Sequence, residues 1–142
     1  MITFEVPGIP QPQGSKRHVG RGIMVESNAK TLRPWRDSVC WHARQAIGTA
    51  EPLSGPVSVR LAFRLPRPQG HYGKKGLLPS APALPVKKPD IDKLVRACLD
   101  ALGEAGVWRD DAQVVRVVAS KDFGQPGMSV SLTASHGEER QQ

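Results

Sequence analysis

The sequence predicts a single α+β domain in which two helices pack on a mixed four-stranded sheet, in the order strand, helix, strand, helix, strand, strand. Three observations predict it. Apolar residues alternate with polar ones near the start and middle of the chain, the mark of half-buried strands. Two other stretches carry apolar residues at helical spacing. With 142 residues and 39% hydrophobic content, the chain can bury one modest core and gives no reason to expect a second.

Ile2, Phe4 and Val6 alternate with Thr3 and Glu5, predicting the first strand. From Pro7 to Asn28 the chain is rich in Pro, Gly, Gln and basic residues and reads as a loop, with room for a short hairpin through Gly22. Thr31 to Ile47 sets Leu32, Trp35, Val39, Ala43, Ala46 and Ile47 on one helical face, with Pro34 expected in the first turn. Val57, Val59, Leu61 and Phe63 alternate with Ser58, Arg60, Ala62 and Arg64, predicting a strand with a basic outer face.

Residues 66–89 hold six of the 13 prolines, so a long irregular loop is expected there. Ile91, Leu94, Val95, Cys98 and Leu102 then recur at helical spacing, with Asp90 at a capping position and Gly103 and Gly106 near the end. The β-branched run Val114 to Val118 and the alternating Met128, Val130 and Leu132, joined by a turn at Gly124 to Gly127, predict a closing hairpin. The domain is expected to span 1–134, with 135–142 a polar tail.

Charge narrows the function. Lys and Arg total 20 against 13 acids, a net +7, which suits a polyanionic partner. The charges are segregated: residues 90–111 contain six acids and three bases, a net −3, leaving +10 for the remainder. Between Glu51 and Asp90 there is no acid but seven bases, making this the strongest candidate DNA-contacting stretch. A basic body around one acidic pocket is what a metal-dependent enzyme acting on phosphates requires.

The apolar runs are too short for a membrane span, and no basic leader precedes an apolar stretch. A cytoplasmic protein with no membrane partner and no small-molecule cofactor is expected. Cys40 and Cys98 belong to no CxxC or His-rich cluster and read as buried free thiols.

The segment Lys87-Lys88-Pro89-Asp90-Ile91-Asp92-Lys93-Leu94-Val95-Arg96, with Asp100 and Trp108-Arg109-Asp110-Asp111-Ala112-Gln113 behind it, carries the candidate chemistry. Asp90 and Asp92 stand at a helix mouth where their carboxylates can converge. A chain returning beside the helix can deliver Asp110 or Asp111 to them. Oxygen-only ligands favour Mg²⁺, or Mn²⁺ as a substitute, over zinc, and no histidine falls in this window. Crowded carboxylates need compensating charge, and Arg96, one turn beyond Asp92, is placed to give it. The plainer reading is that Asp90 caps the helix, Asp92 is a favourable first-turn acid, and Asp110-Asp111 is a solvated turn.

Lys88-Pro89-Asp90-Ile91-Asp92, Asp100-Ala101-Leu102 and Asp110-Asp111-Ala112-Gln113 resemble the KPDxDN, DAL and DDxQ signature of RusA-type Holliday junction resolvases. Val6-Pro7-Gly8-Ile9-Pro10 and Gln13-Gly14-Ser15-Lys16-Arg17 resemble that family's N-terminal stretch. The resemblance implies a RusA-like fold and a homodimeric, Mg²⁺-dependent endonuclease that nicks four-way junctions in pairs. It implies catalytic, metal-binding carboxylates at Asp90, Asp92 and Asp111, with Asp110 supporting. Two departures stand out: Lys93 replaces the usual Asn, and Arg96 replaces the family's catalytic Lys. Arg96 keeps the charge and can clamp a phosphate, but it does not readily release a proton.

Lys16, Arg17, Lys74, Lys75, Lys87, Lys88 and Lys93 are the candidate DNA contacts, though each taken singly also reads as a solvated surface charge. Tyr72 can stack on a splayed base or pack locally. Trp35 and Trp41 read as core or interface residues, and Trp108 as the residue that packs the helix end and fixes Asp111. Two rival readings stand beside this one: a branched-DNA-binding protein with a degenerate metal site, and a nucleotide-sugar glycosyltransferase using a DxD pair, a class that requires a larger nucleotide-binding domain and Gly-rich strand ends absent from this sequence.

Overall fold

The structure, a computed structural model, describes residues 1–14, 16–18, 24–26 and 28–134, without side chains for 16–18 and 24–26. The expected tail, 135–142, and the side chains of Lys16 and Arg17 lie outside the described residues.

Strands β1 (Ile2–Pro7), β4 (Val57–Leu65), β7 (Val114–Phe123) and β8 (Gly127–Ala134) form the main sheet in the order β1-β8-β4-β7. Helices α1 (Ala29–Ile47) and α2 (Ile91–Glu104) supply the second layer. Short ladders β2 (Lys16–His18) with β3 (Met24–Glu26), and β5 (Tyr72–Gly73) with β6 (Gly76–Leu77), lie in the connecting loops. The β2–β3 pairing places a hairpin in the N-terminal loop; its turn, 19–23, is outside the described residues.

The alternation seen in the sequence explains the layering. Val57, Val59, Leu61, Phe63 and Leu65 all point from β4 into the core, where Val6, Met128, Val130 and Leu132 meet Trp35, Val39 and Ala43 of α1 and Leu94, Cys98, Ala101 and Leu102 of α2. The other face leaves Arg60 and Glu5 exposed. Burial pushes the Cys98 thiol up to about 12, so it stays protonated. Cys98 is buried as expected; Cys40 is only half-buried.

Two expectations are corrected. First, β7 and β8 do not form a hairpin: β4 lies between them, parallel to β7 and antiparallel to β8. The short link between them crosses the end of β4, bridging two strand spacings of ~4.8 Å each. Gly124 N–H donates to the Leu65 carbonyl at 3.0 Å. Arg64 pins the crossing by donating to the Gln125 carbonyl at 3.1 Å, Ser129 Oγ at 2.8 Å and Glu5 Oε1 at 2.8 Å. Strand β4, buried along its whole inner face, gains more from the centre of the sheet than from its edge. Strand β7 takes the edge, with Val115 65% exposed.

Second, α1 starts at Ala29, so Pro34 lies in its second turn rather than its first. Gly103 and Gly106 fall near the end of α2, as expected; Gly106 follows the C-cap Ala105, and its φ of +82° allows the paired closing bonds Val107 N–H to Leu102 O at 3.2 Å and Gly106 N–H to Gly103 O at 3.0 Å.

Loop 66–89 contains a short 3-10 turn at Gln69–His71 and the β5–β6 ladder but is otherwise irregular. Arg67 stacks 4.2 Å over the Phe123 ring and donates to the Pro82 carbonyl at 2.8 Å. Lys121 on β7 donates to the carbonyls of Lys87 at 3.1 Å and Pro89 at 2.9 Å. The loop is thereby tied to the sheet edge immediately before Asp90.

Candidate active site

Helix α2 positions the acidic residues. Its N-cap is Asp90, in extended conformation, but the Asp90 side chain makes no capping hydrogen bond. The carboxylate is left outside the helix and exposed, so capping does not account for it. Asp92, Arg96 and Asp100 then follow at four-residue intervals on one helical face. These three line a cavity of about 260 Å³ together with Asp111 and Trp108.

Asp111 reaches this cavity from the segment behind α2 through a set of dedicated contacts. Trp108 Nε1–H donates to Asp111 Oδ1 at 2.8 Å, so Trp108 holds Asp111 as its sequence position suggested. Gly103 faces the same oxygen: a Cβ there would lie 2.8 Å from Asp111 Oδ1 and 3.5 Å from Trp108 Nε1. Glycine is required for the Asp111 carboxylate to lie this close to the helix.

The remaining residues of the DDxQ segment hold the loop. Asp110 accepts from the Ala112 N–H at 2.9 Å, capping the 3-10 turn Asp111–Gln113. Gln113 Oε1 accepts from the N–H groups of Arg109 and Asp110, both at 3.0 Å. Its amide donates to the Leu53 and Gly55 carbonyls at 2.9 and 3.0 Å. Asp110 lines a neighbouring cleft with Arg36, Asp100 and Arg109; it does not line the cavity of Asp92.

Asp90 lines a neighbouring, larger cavity, of about 630 Å³, with Lys87, Lys88 and Lys93. Lys74 and Lys75 stand exposed between β5 and β6, beside a Tyr72 that is also exposed. Trp35 is core, whereas Trp41 is 57% exposed.

Two residues, Asp100 at the acidic cavity and Arg36 at the neighbouring cleft, are not among the site residues the sequence suggests. Asp100 stands between Asp92 and Asp111, and burial, opposed by Arg36 and Arg96 and aided by Asp111 and Glu104, raises its pKa. Its position four residues beyond Arg96 was a readable signal. Arg36 comes from α1 and pairs with Glu104 at the end of α2. Only the packing of α1 on α2 brings it there, and no local pattern announces that.

The donor set fits a hard cation. Every candidate ligand in the acidic cavity is a carboxylate, as Mg²⁺ or Mn²⁺ prefers. Among the described residues no three His, Cys, Asp or Glu side chains are drawn to chelating distance. Mg²⁺ needs few protein ligands, since it keeps several waters and completes its shell on a phosphate.

This geometry can be set beside known proteins. The family description "Endodeoxyribonuclease RusA" matches residues 5–133, most of the 142-residue chain. The chain belongs to the RusA endodeoxyribonuclease family. It is also 28% identical over 137 residues to YqaN of Bacillus subtilis (strain 168), an uncharacterized protein, across 87% of this chain and 89% of that one. The RusA match spans both the N-terminal Pro-Gly segment and the acidic segment. In the fold these meet: Gln13 N–H donates to the Lys93 carbonyl at 2.9 Å, and residues of both line the larger cavity.

Proposed function

We propose that this RusA-family protein is a Mg²⁺-dependent endonuclease that resolves Holliday junctions by paired nicks, acting in the cytoplasm as a homodimer on branched DNA. The observation that carries the reading is the cavity in which Asp92, Arg96 and Asp111 meet, within a basic protein of the RusA family. Both cysteines are free, as suits a reducing compartment. A dimer suits the task because two symmetry-related sites can cut opposing strands of a roughly two-fold junction.

The residues that would hold the ion are Asp92 and Asp111, with Asp90 from the helix mouth and Asp110 supporting through the loop it caps. When bound, Mg²⁺ supplies Lewis-acid activation of water and neutralises charge on the leaving oxygen. Trp108 and Gly103 orient Asp111. Arg96 clamps the phosphate and stabilises its developing charge through a planar, permanently charged guanidinium. Lys87, Lys88 and Lys93, with Lys74, Lys75, Lys16 and Arg17, neutralise backbone phosphates around the cut.

The test is cleavage of an end-labelled four-way junction against a matched linear duplex, in Mg²⁺ and in EDTA, with Arg96→Lys run alongside. Symmetrical Mg²⁺-dependent nicks in the junction alone are expected. Arg96→Lys is expected to cut faster if a proton from this position assists the leaving group. Tight junction binding without cleavage in any divalent metal would replace this reading with that of a branched-DNA-binding protein, the alternative that Arg96 in place of Lys favours.

A further inference from the structure

The segment that leads into Asp90 has few means of holding its own shape. Pro82, Pro85 and Pro89 carry no N–H. Among the described residues, no backbone N–H between 82 and 89 donates to another backbone carbonyl. The segment is held through its carbonyls instead, by two cationic side chains. Arg67, just past the end of β4, takes Pro82 at 2.8 Å, and Lys121 of β7 takes Lys87 at 3.1 Å and Pro89 at 2.9 Å. Lys121 stands opposite Phe63 in the sheet register, so its half-buried stem leaves β7 on the core face. It lines neither the acidic cavity nor the larger one, and therefore acts through the loop.

The bond to Pro89 bears directly on Asp90. The Pro89 carbonyl and the Asp90 N–H share one planar peptide, so holding that oxygen fixes the plane before the Asp90 Cα. Helix α2 fixes the plane after it, where the Asp90 carbonyl accepts from the Leu94 N–H at 3.1 Å. With both planes held, the direction of the Asp90 Cβ is set. This matters because no capping bond restrains the Asp90 carboxylate. We propose that Lys121 is a positioning residue for the metal ion, presenting the Asp90 carboxylate to the cation through the Pro89 peptide. The proposal rests on the nuclease reading, in which Asp90 is one of the ligands. A ligand already held in place gives up less freedom when the ion binds, so loss of Lys121 weakens the ion's affinity without removing a donor.

The test reads ion affinity first and cleavage second. Mn²⁺ titrations of the metal-free protein, followed by the EPR signal of the free ion, compare the wild type with Lys121→Met, Lys121→Arg, Asp90→Asn and the Lys121→Met/Asp90→Asn double variant. Met keeps most of the stem and drops the ammonium. Lys121→Met should bind Mn²⁺ about tenfold more weakly, the scale of an outer-shell partner, and Lys121→Arg should recover most of that loss. The double variant should bind no more weakly than Asp90→Asn alone, because both changes strike one ligand. In junction cleavage, Lys121→Met should need about tenfold more Mg²⁺ for half its maximal rate and approach the wild-type rate when saturated. Wild-type Mn²⁺ affinity in Lys121→Met or in Asp90→Asn, or losses that multiply in the double variant, would overturn the proposal. A lower melting temperature with unchanged affinity is the mark of a merely structural lysine and overturns it equally. Should Lys121→Met fail to fold, Lys121→Gln, whose amide falls one bond short of the ammonium, takes its place with the same expectation. A wild type that binds Mn²⁺ but cuts no junction defeats the nuclease reading and leaves the Mn²⁺ comparison to decide the role of Lys121. A wild type that binds no Mn²⁺ overturns the proposal whether or not it cuts.

Discussion

The two sides of the α2 N-terminus are built on different principles. The side bearing Asp92, Arg96, Asp100 and Asp111 is small, and its ligands are held by specific contacts: an indole N–H on Asp111, a glycine that gives it room, and a glutamine that ties its loop to residues 53 and 55. The side bearing Asp90, Lys87, Lys88 and Lys93 is larger, walled by prolines and hung from the sheet edge by Lys121. One side fixes a few atoms closely, as chemistry at phosphorus demands. The other offers shape and positive charge, as recognition demands. One turn of helix joins them, so under the proposed function recognition on one side would set register on the other.

The contrast predicts where small changes hurt most. Gly103→Ala places a methyl group against Asp111 Oδ1 and should slow cleavage by about 100-fold, the scale of a 1 Å misplacement in a catalytic group. Its melting temperature should hold or rise, because Ala is favoured over Gly inside a helix by ~1 kcal/mol. Single-turnover rates and thermal melts on the same preparation check both, and an unchanged rate would show that Asp111 is not position-sensitive. Trp108→Phe removes the N–H to Asp111 together with part of a buried ring and should slow cleavage by roughly tenfold, as loss of an outer-shell partner does, with a lower melting temperature from the smaller ring. Junction binding should be unaffected.

Asp100 gives a subtler test, of stability. Burial and the neighbouring acids Asp111 and Glu104 raise its pKa against the pull of Arg36 and Arg96. The folded protein therefore holds the Asp100 proton more tightly than the unfolded chain. Stability from this group is present below the ordinary value of 3.8 and lost as pH rises through the raised value. In metal-free buffer near neutrality, Asp100→Asn should melt above the wild type, and the difference should vanish in acid below that ordinary value. A variant that melts lower near neutrality would show that the carboxylate is stabilised where it sits. On the recognition side, Lys87→Ala should cost least: it should weaken binding evenly across junction sequences and reduce the log Kd against log salt slope by roughly 1.

What the sequence displayed depended on how local each feature is. Helix α2 and the four-residue spacing of Asp92, Arg96 and Asp100 are properties of one helix, and helical spacing reveals them. The role of Trp108 toward Asp111 spans three residues and was equally readable. The loop that leads into Asp90 is tied down by Lys121 from another strand, a contact that no local pattern displays. The β7–β8 hairpin was misread because Gly124 to Gly127 looks the same whether it turns back on its own strand or crosses over β4. The steric need for glycine at 103, set by Asp111, leaves no mark near it in sequence. Arg36 entered through helix–helix packing alone.

The division of labour between the two sides of α2 is tested most directly by measuring single-turnover cleavage rate and junction Kd together for Asp92→Asn and for the Lys87→Ala/Lys88→Ala double variant. Asp92→Asn should lose about 10³-fold in rate, the scale on which a transition-state charge partner acts, with Kd unchanged. The lysine variant should bind more weakly yet cut at the wild-type rate when saturated. Cleavage that survives in Asp92→Asn, or a lysine variant that binds normally but does not cut, would contradict the account.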